Sequence, residues 1–273
     1  MRQRLLNLAH ARGQPMELLL TRYALERLLH RLSLTPHRER FVLKGAMLLA
    51  TWFDEPHRAT RDVDLLGFGD PVHDALLGTF REVMAIDVDD GVIFDLKGLR
   101  IEAIREEVEY RGSRLRTTAA LAGARIPITV DIGFGDAVEP SVEDIDLPVL
   151  LGMPSPHLRA YPPETVVAEK FHAMVALGMA NSRMKDYYDV WMLTGAFTLE
   201  PNRLRSAIVA TFARRNTAVP ALVPDGLSDA FAIDAGKQRQ WDAFARNLAG
   251  SVPELRLVVS DLRQRLTSFL APT

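Results

Sequence analysis

The sequence predicts an α/β protein with a mixed sheet and flanking helices, followed by a helical C-terminal part. Leucines recur near helical spacing in residues 15–32, with arginines between them. Between Gly91 and Ile132 the pattern changes to short runs rich in β-branched residues, which favour strands. After Pro162 and Pro163 helical periodicity returns. These observations predict a sheet domain over residues 1–155 with N-terminal helices and a helical domain over residues 156–273.

Each element follows from its local pattern. Apolar residues at helical spacing, with proline or glycine at the ends, predict helices over 1–12, 15–32, 71–84, 164–177, 202–215, 241–248 and 253–270. Two further helices are expected, one beginning near Gly45 and one ending by Gly195. Alternating or β-branched runs predict strands over 62–66, 92–94, 99–104, 107–115 and 126–132. Residues 137–163 show few periodic signals, so we place the domain boundary near Pro154 to Tyr161.

Size and composition exclude several classes of protein. With 273 residues the chain can bury a substantial core, and with no cysteine it has no disulfides, thiolate zinc sites or cysteine nucleophiles. The N-terminus lacks an apolar run of signal-peptide length, and no segment has the roughly 20 apolar residues of a membrane span. We therefore expect a soluble, cytoplasmic protein with no membrane partner.

The net charge of −2 conceals a strong asymmetry along the chain. Residues 1–61 carry 11 Lys/Arg against 5 Asp/Glu, whereas residues 62–150 carry 8 against 19. An acidic middle suits a site that gathers cations. The basic N-terminal part has two interpretations that the sequence leaves open: a surface that neutralises phosphates, or the solvated faces of amphipathic helices.

The segment Phe41 to Gly67 combines two features of phosphate chemistry. Lys44 and Gly45 precede a run of good helix formers, so a helix begins there, and its free N–H groups can hold a phosphate. Asp62 and Asp64 then alternate along a short strand and point the same way, which makes half of a Mg²⁺ site. A solvated turn also accommodates Asp-x-Asp, so the pair alone is weak evidence.

A third carboxylate lies at the end of another predicted strand. Asp131 follows a β-branched run and precedes Gly133 and Gly135, which let the chain turn away closely. If this strand lies beside the first, Asp131 completes a three-carboxylate cluster with Asp62 and Asp64. The other reading is that Asp131 caps a turn.

The predicted helix over residues 164–177 places Lys170 on the face that should be buried. A buried lysine needs an anion, which is either an internal carboxylate or the phosphate of a ligand. Asp186 and Asp189 share one face of the next helix, just after Arg183. Alone, they are typical of a helix start with acids favourably placed against the dipole.

Five motifs occur in order along the chain: Lys44-Gly45, Arg61–Gly67, Val130–Asp136, Ala168–Ala173 and Arg183–Asp189. Over residues 35 to 270 this series resembles the AbiEii/AbiGii family, nucleotidyltransferase toxins of bacterial toxin–antitoxin and phage-defence operons that include the MenT-type toxins. Such a series is far more specific than any single match.

The resemblance implies a polymerase-beta-like nucleotidyltransferase fold that uses a two-ion Mg²⁺ site and a nucleoside triphosphate (NTP). It implies transfer of nucleotides to an RNA, the 3′ end of tRNA in some members, which blocks translation. The implied metal ligands are Asp62, Asp64 and Asp131, which with Lys170 and Asp186 form the catalytic set. The implied nucleotide-binding residues are Lys44, Gly45, Lys170, Arg183 and Asp186. Ala46 departs from the family pattern, since a second glycine or a serine is usual there.

The partners implied are an NTP, a tRNA and a cognate antitoxin of the winged-helix or another type. Two alternatives remain open at this stage. One is a transferase acting on a small hydroxylated molecule, and the other is a catalytically idle member that only binds an antitoxin or a nucleotide, for which Ala46 is the best support.

Overall fold

The computed structural model describes residues 1–53, 60–105, 111–248 and 250–270. The chain divides into two units. The first comprises residues 1–135 and 143–160, and the second comprises residues 136–142 and 161–273.

Over its described residues, the first unit contains a sheet and four α-helices. Its helices are α1 (Arg2–Arg12), α2 (Met16–Ser33), α3 (Ala46–Trp52) and α4 (His73–Ala85). Its strands are β1 (Phe41–Lys44), β2 (Val63–Gly67), β3 (Val92–Phe94), β4 (Arg100–Arg105), β5 (Arg111–Leu121), β6 (Ala124–Phe134), β7 (Glu143–Asp146) and β8 (His157–Ala160). The predicted α/β class with a mixed sheet is therefore confirmed.

The eight strands form one sheet in the order β3-β5-β6-β2-β1-β8-β7, and β4 also pairs with β5. β2 runs parallel to β6 and β1 parallel to β8, whereas the other pairs are antiparallel. Buried residues alternate with exposed or half-buried ones along β6, from Ile126 through Ile132. One face of the sheet therefore belongs to the core.

Three strands were not predicted. β1 and β8 have four residues each and β7 is made of acidic and isoleucine residues, Glu143–Asp146. β7 and β8 contain too few β-branched or aromatic residues to be detected as strands, and β7 lies at the edge of the sheet, where charged residues discourage pairing with other chains. The predicted strand over 107–115 begins outside the described residues and extends instead to Leu121.

Two arginines of α2 lie in the interior of the first unit. Arg31 is 2% exposed and binds Asp90 through both carboxylate oxygens, at 2.6 and 3.1 Å. Arg27 is fully buried and donates from both terminal nitrogens to the carbonyl of Pro154, at 3.1 Å each. Neither interpretation of the basic N-terminal part fits these two residues, because they are neither a solvated face nor available to a phosphate.

The second unit consists of helices: α5 (Pro163–Leu177), α6 (Met184–Ala196), α7 (Pro201–Arg214), α8 (Asp229–Ile233), α9 (Ala235–Ala245) and α10 (Leu255–Leu266). Side chains cap the starts of α8 and α9, where Ser228 accepts from the N–H of Phe231 and Asp234 from that of Lys237. These caps fix two helix starts that the sequence prediction overlooked: α8 was not predicted, and α9 runs from Ala235 to Ala245 instead of over 241–248.

Candidate active site

Sheet register brings two of the predicted acids together. Asp64 on β2 is the partner of Asp131 on β6 and, on its other side, of Lys44 on β1. Neighbouring strands are about 4.8 Å apart, and the side chains of register partners lie on the same face. Lys44, Asp64 and Asp131 therefore form a row across three strands, and both carboxylates are half-buried.

Asp62 lies immediately before β2, two residues from Asp64. The hydroxyl of Thr60 donates to its carboxylate Oδ1 at 3.1 Å and also lies 3.0 Å from its carbonyl oxygen. The side chain of Asp62 is half-buried. The local turn thus holds the Asp62 carboxylate in place without removing it from solvent.

Gly45 lies between β1 and α3 in a conformation that only glycine adopts readily, with φ 72° and ψ −155°. A methyl group at this position would lie 2.7 Å from Cγ and 2.8 Å from Cβ of Asp64. The sequence indicated Gly45 as a helix start. The structure adds a second reason for glycine, which is the close approach of the Asp64 side chain.

Arg114 is a residue of the candidate site that sequence reasoning missed. From β5 its Nε and Nη2 atoms donate to the two carboxylate oxygens of Asp131, at 2.7 and 2.6 Å. These hydrogen bonds, together with the charges of Asp131 and Asp62, raise the pKa of Arg114. Only the β5–β6 register pairs Arg114 with Asp131, so no local signal identifies it.

In the second unit, Lys170 of α5 lies against two carboxylates of α6. Its Nζ is 2.6 Å from Oδ1 of Asp186 and 2.9 Å from Oδ2 of Asp189. Both aspartates are 1% exposed and the lysine side chain is 15% exposed. Of the two anions considered for Lys170, the internal carboxylates are the ones present, and contact with a phosphate stays a prediction.

Arg183 extends this ion cluster towards solvent. Its Nε is 2.8 Å from Oδ2 of Asp186, and its side chain is about half exposed. The turn before α6 is fixed from both sides, since Asn181 Oδ1 accepts from the backbone N–H of Arg183 and Asn181 O accepts from Lys237. The predicted grouping of Lys170, Arg183 and Asp186 is therefore present within the second unit.

No group of three or more histidine, cysteine, aspartate or glutamate side chains is arranged to hold a metal ion within residues 1–53, 60–105, 111–248 and 250–270. In the first unit the guanidinium of Arg114 occupies both oxygens of Asp131. The acids are of the right kind for a hard divalent cation, and Asp64 and Asp131 are adjacent in the sheet.

Comparison with known proteins decides the family. The model of the AbiEii nucleotidyl transferase toxins of type IV toxin–antitoxin systems matches residues 27–268. This chain belongs to the AbiEii family. It is accordingly a nucleotidyltransferase, and the match spans every candidate residue above.

One solved structure is similar to the AbiEii chain in fold. A Helicobacter pylori protein determined as a candidate nucleotidyltransferase aligns with a TM-score of 0.50 at 16% identity, over 90% of this chain and 91% of that one. JHP933 from Helicobacter pylori aligns with a TM-score of 0.47 at 16% identity, over 92% and 91% of the two chains. No curated protein matches the AbiEii chain by sequence. Among its described residues, no helix is long and apolar enough to cross a membrane.

Proposed function

We propose that this AbiEii protein transfers nucleotides from an NTP to a hydroxyl of an RNA, the 3′ end of tRNA, and thereby blocks translation. The observation that carries the proposal is the row of Lys44, Asp64 and Asp131 across three adjacent strands. Two acids beside a lysine and a glycine-bounded helix start are suited to a nucleotide with its cations. Action on tRNA implies a cytoplasmic location, and membership of a type IV toxin–antitoxin family implies a cognate antitoxin.

Divalent cations fit the chemistry of the acids in the first unit. Asp62, Asp64 and Asp131 would hold them, because carboxylate oxygens are the donors that Mg²⁺ prefers. When bound, such cations neutralise phosphate charge and make the acceptor hydroxyl more acidic. The pair formed by Arg114 and Asp131 keeps the third carboxylate in a defined orientation next to Asp64.

The remaining groups bind and orient the reactants. The acceptor oxygen attacks the α-phosphorus, the bond between the α-phosphorus and the bridging oxygen breaks, and pyrophosphate leaves. Asp131 accepts or directs the proton of the acceptor hydroxyl. Lys44 and the N–H groups after Gly45 offset charge on the phosphates. Lys170 and Arg183 are proposed to offset charge on the triphosphate. Asp186 holds the side chains of Lys170 and Arg183 in place.

The test is a transfer assay with each of the four labelled NTPs and Mg²⁺. Total tRNA is the acceptor in one arm and a panel of small alcohols and aminoglycosides in the other. We expect label on tRNA, release of pyrophosphate, and loss of both with Asp64→Asn or with EDTA. Asp87→Asn is the matched control, since Asp87 is an exposed aspartate of the same unit.

The other two functions are outcomes of the same assay. Label on a small alcohol but not on tRNA would contradict an RNA acceptor. Absence of pyrophosphate release with every NTP and acceptor would instead favour an idle member, in which Ala46 at the first position of α3 weakens the hold on phosphate.

A further inference from the structure

One face of β4, β5 and β6 is rich in arginine and open to solvent. Register places Arg100 opposite Arg116, and Arg116 opposite Thr129. Farther along the same face, Ala120 is opposite Arg125. We call the surface formed by Arg100, Arg116 and Arg125 the arginine face. Its residues alternate with the buried core positions of the same strands, so it is the side of the sheet that carries Asp64 and Asp131.

The arginine face is rich in positive charge although the surrounding sequence is acidic. Residues 62–150 contain 8 Lys/Arg and 19 Asp/Glu. Four of those eight cations lie on this side of three strands, counting Arg114 together with the arginine face. Such clustering on one side of an acidic segment indicates a surface for an anion.

The pairing of Arg100 with Arg116 is itself unfavourable. Like charges directly opposite each other in an antiparallel pair destabilise the sheet. Glu102 offsets this in part, with Oε1 2.9 Å from Nη1 of Arg116, but both side chains are about half exposed. Exposed ion pairs of this kind contribute little and exchange readily. Among the described residues Arg100 and Arg125 form no ion pair, so an anion could bind all three arginines.

The dimensions of the arginine face fit a chain of phosphates better than a single nucleotide. Side chains on one face of a strand recur about every 6.8 Å, so Arg125 lies about 20 Å along β6 from Asp131. No large side chain of these positions projects from the surface between them, which carries the small side chains of Thr118, Ala120, Pro127 and Thr129. A nucleotide beside Asp131 would not reach Arg125, whereas an extended strand would.

We propose that the arginine face binds the phosphodiester backbone of the RNA acceptor and directs its 3′ end to Asp64 and Asp131. This inference rests on the proposed function, in which the acceptor is RNA. Single-stranded nucleic acid is commonly held on an open sheet by a basic track that follows its backbone. The arginine face would thus select a polynucleotide over a small hydroxylated acceptor.

The test measures binding of a 5′-fluorescein-labelled 12-nucleotide RNA by anisotropy over a range of salt concentrations. Each phosphate contact to a single strand contributes about 0.7 to the slope of log K against log[salt], so Arg116→Gln/Arg125→Gln should make that slope shallower by about 1.4. The same variant should raise KM for RNA several-fold and leave KM for the NTP unchanged. Arg81→Gln, an exposed arginine of α4, is the matched control.

Glu102→Gln provides a test of opposite sign. It removes an acid that pairs with Arg116, so RNA should bind more tightly and with a steeper salt slope. If Glu102→Gln and Arg116→Gln/Arg125→Gln both bind RNA as the wild type does, the arginine face is not the RNA site. An acidic protein partner would give that result.

The two proposals fail in different ways. Label transfer to RNA with unchanged salt slope and KM in Arg116→Gln/Arg125→Gln would overturn the arginine face and leave the proposed function intact. RNA binding that depends on the arginine face, without any transfer to RNA, would overturn the RNA-acceptor function and leave the binding surface standing. Absence of both would overturn both.

Discussion

Gly45→Ala tests whether the close approach of α3 to Asp64 organises the candidate site. Alanine at φ 72° and ψ −155° costs about 1–3 kcal/mol of backbone strain. Its methyl group would also lie 2.7 Å from Cγ and 2.8 Å from Cβ of Asp64, and a contact of this kind costs about 1–3 kcal/mol more. We therefore expect the free energy of unfolding to fall by about 2–6 kcal/mol in total.

The activity of Gly45→Ala should fall further than its stability. Relief of the contact moves the Asp64 side chain, and a displacement of about 1 Å at a reacting centre costs about 10²-fold in rate. Pyrophosphate release per folded molecule, with the folded fraction taken from circular dichroism, measures this effect. Urea unfolding of the same samples gives the stability.

Gly69→Ala separates backbone strain from contact. Gly69 has φ 94° in the loop after β2, and a methyl group there would meet nothing within 4 Å. It should lose only about 1–2 kcal/mol and retain transfer activity. If Gly45→Ala matches Gly69→Ala in stability and in rate, the contact with Asp64 does not organise the site and the reasoning is refuted.

Three further predictions concern buried ionisable side chains. Lys170→Met leaves Asp186 and Asp189 without the ammonium between them and should lower the free energy of unfolding by about 3 kcal/mol. This is the low end for a buried pair, because Arg183 still neutralises Asp186. Urea unfolding measures the change, and Lys185→Met, at an exposed position, is the control that should change little. Arg31→Met leaves Asp90 buried without its bidentate partner and should cost about 3–5 kcal/mol by the same measurement, a result that an unchanged urea midpoint would contradict. His172 accepts from Arg215 at Nδ1 and faces Thr217 with Nε2, and burial followed by the charge of Arg215 lowers its pKa to about 4. The unfolded chain therefore takes up a proton first as the pH falls, so the free energy of unfolding should drop by up to about 3 kcal/mol between pH 6.5 and 4, and His172→Gln should lack this drop.

The candidate residues that could be predicted from the sequence are those whose position follows from adjacent residues in the chain. Asp62 and Asp64 lie on either side of the buried Val63, and Gly45 precedes a helix-forming run. All three could therefore be predicted from the sequence. The placement of Asp131 beside Asp64 required an assumption about which strands are adjacent, and the parallel β2–β6 pairing supplies it. Arg114 had no such signal, because its role depends on cross-strand register alone.

Charge counts along the chain gave a wrong picture of the surface, because tertiary contacts determine which charges are exposed. Arg27 and Arg31 contributed to the apparent basic surface of the N-terminal part, yet both are buried against polar groups from distant segments. Conversely, the acidic average of residues 62–150 concealed the arginine face, which only the sheet assembles. Net charge over a segment indicates a partner only when the fold places those charges on one accessible surface.

Both groups of candidate residues share one feature, which is an internal ion pair that fixes the side chain of a candidate residue. Arg114 holds Asp131 in the first unit, and Asp186 with Asp189 holds Lys170 in the second. Removing charges from water is costly, so such pairs are poor sources of stability compared with apolar packing. Their advantage is orientation, because a charge already held in place needs no reorganisation when phosphate charge develops nearby. Under the proposed function, that advantage explains why acids and cations occupy these positions in place of apolar residues.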